Sequence, residues 1–171
     1  MGAGRVVRRL AGMRRVLGVA MDNSVDLPGY KWYRDPADGS RPAVYVAFLD
    51  VEEGDGEVNG VCLPLPAGGW AALDARERNY ERVEVTGAVA DPPGRVWAYR
   101  GSVPGRERLA RGLAEGRAVV ARAYLEAVEA GFAALGDEEL CRYRQTTSLG
   151  GIPVRDLERI DLPAAIRSAG G

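Results

Sequence analysis

Apolar residues fall into short runs whose period shifts from two, as in strands, to nearly four, as in helices, with Pro-, Gly- and Asp-rich stretches between them. Val16, Leu17 and Val19 predict a strand over Arg15 to Met21, stopped by the turn cluster Asp22-Asn23-Ser24. Asp26 to Pro42 reads as a long loop with two turns. Its aromatics, Tyr30, Trp32 and Tyr33, either lid a pocket or pin the loop to the core, and pinning is favoured because loops usually bury large apolar groups. Ala43 to Leu49 (A-V-Y-V-A-F-L) is nearly continuous, as in a strand at a core centre. Glu52 to Glu57 (E-E-G-D-G-E) reads as a solvated hairpin turn, without calcium-loop spacing, leading into a strand from Val58 to Leu65. From Trp70 a helical repeat places Trp70, Leu73, Asp74 and Glu77 on one face, which would carry Glu77 inward beside apolar neighbours.

Val83 and Val85 then alternate with Arg82 and Glu84, a half-buried strand, and the D-P-P-G turn leads into another strand from Arg95 to Tyr99. Arg106 to Leu135 predicts two helices broken near Gly112 to Gly116, with Val120, Tyr124, Val128 and Phe132 as a core stripe. Gly136 fits the cap of the second helix, and Asp137 starts a short helix. The stretch from Thr146 to Leu157 reads as loop and terminal turn.

Composition narrows the function classes. The 171 residues suit one domain. A formal net charge of −1 sets up no overall field that would draw in nucleic acid or a membrane surface. Five arginines (Arg5, Arg8, Arg9, Arg14, Arg15) crowd the opening stretch, but without interleaved aromatics they read as strand edges and a solvated face. No signal peptide or apolar run long enough for a span is legible, so the chain reads as cytoplasmic. Cys62 and Cys141 show no metal or disulfide pattern, and Cys62 reads as a buried, inert thiol.

Histidine is absent, which removes Ser-His-Asp and Cys-His catalysis and the usual zinc sites together. The single lysine, Lys31, falls in the long loop and offers little support for Schiff-base chemistry. Glu77 remains as the acid–base candidate, because a carboxylate drawn out of water can take up and return a proton. Its structural alternative is an ion pair with an arginine such as Arg82. Asp74 reads as structural, in the first half of its helix.

The words L-D-A-R-E (Leu73 to Glu77) and Y-E-R-V-E-V (Tyr80 to Val85), flanked by V-N-G-V-C-L-P-L and V-W-A-Y, resemble the γ-glutamylcyclotransferase-like family. The resemblance runs from about Arg9 to Tyr99. It implies an α+β fold, a small mixed β-barrel over about residues 9–100, with a helical tail over about 106–145, in a single domain. It also implies cyclisation of a γ-glutamyl amide or peptide to 5-oxoproline with release of an amine or amino acid. Glu77 would be the general acid/base, with no cofactor or metal; Tyr80 and Tyr99 either line the substrate pocket or are ordinary barrel residues with satisfied hydroxyls. The family's Tyr-Gly-Ser strand has no counterpart here, since Y-R-G-S at Tyr99 to Ser102 is out of place and order. Either the start lies upstream or the carboxylate cradle has been lost. The second case leaves a non-catalytic metabolite-binding or scaffold barrel, and the sequence as it stands predicts an unpaired edge where the missing strand would lie, hence poor solubility or pairing of two copies as a homodimer. The expected partner is thus a small γ-glutamyl compound, with neither nucleic acid nor membrane.

Overall fold

The computed structural model describes residues 6–163, so Arg5 lies outside the described residues. In chain order the strands are β1 (Val6–Asp22), β2 (Lys31–Arg34), β3 (Tyr45–Cys62), β4 (Tyr80–Glu84), β5 (Trp97–Gly101), β6 (Ala118–Ala121), β7 (Thr147–Ser148), β8 (Val154–Arg155) and β9 (Glu158–Asp161). The helices are α1 (Trp70–Arg76), α2 (Val103–Ala114), α3 (Arg122–Ala133) and α4 (Asp137–Gln145). β1 and β3 form a long antiparallel ribbon, the spine of a five-stranded mixed sheet ordered β7-β1-β3-β6-β8. Two smaller ribbons, β2 with β9 and β4 with β5, flank it. The fold is α+β, but the described strands do not close into the expected barrel. The sheet ends on β7 and β8, two residues each, with no pairing between them.

The apolar run through β3 is buried on both faces of this sheet. Val46 and Phe48 join Val19, Met21, Tyr33 and Leu157 on one side, while Tyr45 and Ala47 join Leu17, Ala20, Val120 and Leu109 of α2 on the other. Leu17 and Val19, two residues apart, would share a face of a regular strand. The register slips at Gly18, which inserts one extra residue and sends them to opposite clusters. A Cβ on Gly18 would lie 2.6 Å from that of Asp50, so the bulge has no room for a larger residue.

Several expectations are corrected. Glu52 to Glu57 is not a turn, because β3 runs through it, with Gly54 to Gly56 bulging opposite Gly12 (φ +70°). Arginines pair with its three glutamates: Arg14 meets Glu52 at 2.7 Å, Arg100 meets Glu53 at 3.3 Å and Arg9 meets Glu57 at 3.8 Å. Val120 belongs not to a helix but to β6, a fully buried four-residue strand inside the expected helical tail. The stretch read as terminal loop supplies two strands, β7 and β8, and β9 follows directly after it, paired with Lys31–Arg34 of the aromatic loop. Tyr33 is pinned in the core. Asn23, fully buried, accepts from the Tyr33 amide at 2.7 Å and donates to the carbonyls of Tyr33 and Pro42 at 2.9 Å. Cys62 is half-buried, not enclosed.

Candidate functional site

The ribbon β2–β9, the end of α1 and the sheet enclose a cleft of about 580 Å3. Phe48 of β3 and Tyr124 of α3 form part of its wall, packed edge to face at 5.2 Å. Tyr30 and Lys31 enter from the aromatic loop, Arg159 and Asp161 from β9, Arg76 and Glu77 from the end of α1, and Tyr80 from β4.

Glu77 lies in the cleft, by a different route from the one the helical period suggests. α1 ends at Arg76 and buries none of its residues. Trp70 packs edge to face on Trp97 at 5.8 Å, while the Arg82 guanidinium lies 4.0 Å from the Trp70 ring centre. Glu77 is the capping residue (φ −91°, ψ 52°), and its carbonyl accepts from the Tyr80 amide at 3.0 Å in the turn into β4. That turn, not an apolar helix face, aims the side chain, which is 27% exposed. Its nearest cation is Arg76 at 3.8 Å, whereas Arg82 pairs with Asp74 at 3.6 Å.

Two tyrosine hydroxyls meet the backbone of Leu49. Tyr80 donates to the Leu49 carbonyl at 2.5 Å, and Tyr124 accepts from the Leu49 amide at 3.0 Å. The Tyr80 oxygen is therefore left as an acceptor, and the Tyr124 proton is left to donate. Burial pushes both phenols well above their ordinary value, so both stay protonated at neutral pH.

Tyr99 is elsewhere. Its hydroxyl donates to Asp74 at 2.5 Å, and its ring lines a separate groove of about 240 Å3 between β5 and the outer ribbon. Of the three residues that the resemblance singles out, the structure thus brings together Glu77 and Tyr80, and leaves Tyr99 apart.

Lys31 is the residue that sequence reasoning set aside. Its Nζ lies 4.2 Å from the Phe48 ring centre and 5.3 Å from that of Tyr30. Desolvation, with the Arg159 charge next in importance, lowers its pKa to about 8. Its position follows from β2 pairing with β9, a contact across most of the chain that no local signal announces. Among the described residues no group of three or more His, Cys, Asp or Glu could hold a metal, and no helix is long and apolar enough to cross a membrane. Compared with known proteins, the chain matches no family model, no curated protein and no solved structure.

Proposed function

We propose that this cleft cyclises γ-glutamyl amides or peptides, in the manner of the barrel-type γ-glutamylcyclotransferases that the L-D-A-R-E and Y-E-R-V-E-V words resemble. The observation that carries the reading is that Glu77 and two buried tyrosines, Tyr80 and Tyr124, line one cleft large enough for a dipeptide-sized ligand. A carboxylate at a helix C-terminus opposes the helix dipole, so local helix stability gives no reason for Glu77 to stand there.

Glu77 takes a proton from the substrate's α-ammonium. The freed amine attacks the γ-carbonyl, forming the ring C–N bond, and Tyr124 donates a hydrogen bond to the oxygen as negative charge develops there. Collapse breaks the bond to the leaving nitrogen, which receives that proton from Glu77; the second proton, shed by the ring nitrogen as the lactam forms, passes by way of the same carboxylate to the released amine, which departs as an ammonium. The proton balance closes with no oxidant or cofactor, and the intramolecular attack gains much of its rate from positioning.

The 27% exposure of Glu77 and the neighbouring Arg76 favour a second reading, a metabolite-binding cleft without turnover. Release of 5-oxoproline from a panel of γ-glutamyl compounds separates the two. The cyclase reading expects turnover that falls at least about 100-fold in Glu77→Gln while melting is unchanged. No turnover from the folded chain, or equal turnover in the variant, sinks it.

A further inference from the structure

The charged groups of the cleft are not all matched. Arg159 donates to Asp161 at 2.7 Å, and Arg76 reaches Glu77 at 3.8 Å. Lys31 alone among the cleft's cations has no carboxylate within 4.0 Å among the described residues, although it is half-buried against two aromatic rings. Rings stabilise an ammonium through their electron-rich faces but give it no counter-charge. A half-desolvated ammonium at the wall of an open cleft, with a carboxylate on the same cleft, presents opposite charges to anything that enters.

We infer that Lys31 and Glu77 together recognise a zwitterionic α-amino-acid head, with Lys31 Nζ anchoring the ligand's α-carboxylate and Glu77 facing its α-ammonium. This deepens the function proposed above and rests on it for the identity of the rest of the ligand. It assigns carboxylate recognition to a side chain, so the cleft selects against ligands whose α-carboxyl is amidated or esterified. It also gives Glu77 its geometry, because a carboxylate held on Lys31 fixes the neighbouring ammonium relative to the base. The groups facing Lys31 are Arg159 and Asp161 from β9, Arg76 and Glu77 from the end of α1, and the Tyr30 ring beside it. With its pKa at about 8, the anchor is charged at neutral pH and loses its charge as pH rises past that value.

The test is calorimetric and needs no turnover. Binding of γ-glutamyl ethylamide and of its α-carboxamide counterpart is measured for the unaltered chain, Lys31→Met, Lys31→Arg and Glu77→Gln. The expected result is an acid-over-amide preference of at least about tenfold at pH 7, conversion of a charged contact being of that order. Lys31→Met abolishes the preference and Lys31→Arg retains part of it. Glu77→Gln keeps the preference while weakening both ligands. A preference that survives in folded Lys31→Met, or no binding of either ligand, overturns the inference. The cyclase reading fails separately: Lys31-dependent preference without 5-oxoproline release leaves a zwitterion-binding cleft, whereas Glu77-dependent release without a Lys31 effect leaves a cyclase anchored by other groups.

Discussion

The two halves of the β1–β3 ribbon are built on different physics. In the inner half, Val16 to Asp22 faces Tyr45 to Asp50, and Val19, Ala20, Val46 and Ala47 are fully buried between two apolar clusters. The outer half, Val6 to Arg14 against Glu52 to Cys62, leaves Val6 and Val61 exposed and is laced by arginine–glutamate pairs. Between them stands Arg15, 7% exposed, its guanidinium 5.0 and 5.1 Å from the ring centres of Phe132 and Tyr143 and hydrogen-bonded to Asn59 and Thr147. Burial lowers its pKa, since only neutral partners receive it. The inner half supplies Phe48 to the cleft and the Leu49 backbone that holds Tyr80 and Tyr124, so the candidate site rests on area buried from water, while the outer half is a backbone ladder dressed with exposed charge pairs.

That difference can be broken most severely at Phe48. Phe48→Ala removes a ring that is 4% exposed and is expected to cost about 3–5 kcal/mol, lowering the melting temperature by roughly 10 °C. Denaturant unfolding measures it, and a loss below about 1 kcal/mol would show that the inner half can collapse around the gap. A smaller effect is expected where α4 clasps the outer half. Glu139 accepts from Arg9 at 2.7 and 2.8 Å and from the Asn59 amide at 2.7 Å, and these bonds hold its carboxyl below the ordinary value of 4.5. Such a group contributes stability that is present above the unfolded value and lost as pH falls through the folded one. Glu139→Gln should therefore cost about 1–2 kcal/mol at pH 7 and draw closer to the parent chain as pH falls below 4.5, as read from paired denaturation curves. A difference that stays constant as pH falls through the acid range would assign its role to packing. Arg14→Ala should do least. Arg14 is 64% exposed, so its pair with Glu52 contributes under about 1 kcal/mol and less in high salt.

The inner half was largely legible in the sequence, because a run such as A-V-Y-V-A-F-L has few places to go except between two covered faces. The outer half was not. E-E-G-D-G-E has turn-like glycines and repelling carboxylates when read locally, and its extension depends on pairing with β1 and on arginines of β1 and β5, all distant in the chain. Val120 and Tyr124 share a helical spacing by coincidence, across the junction from β6 into α3. Glu77 was singled out as a candidate, yet the helix meant to aim it stops one residue short. Lys31 was passed over because β9, which turns its loop into a strand, begins more than 120 residues later.

A chain with one lysine also has one bond that a lysine-specific protease can cut, that between Lys31 and Trp32. It lies within β2, whose backbone is paired to β9, so the intact ribbon withholds it from an enzyme that needs an extended, accessible substrate. Cleavage therefore reports how often one wall of the cleft comes away, and a ligand seated on the lysine should slow it.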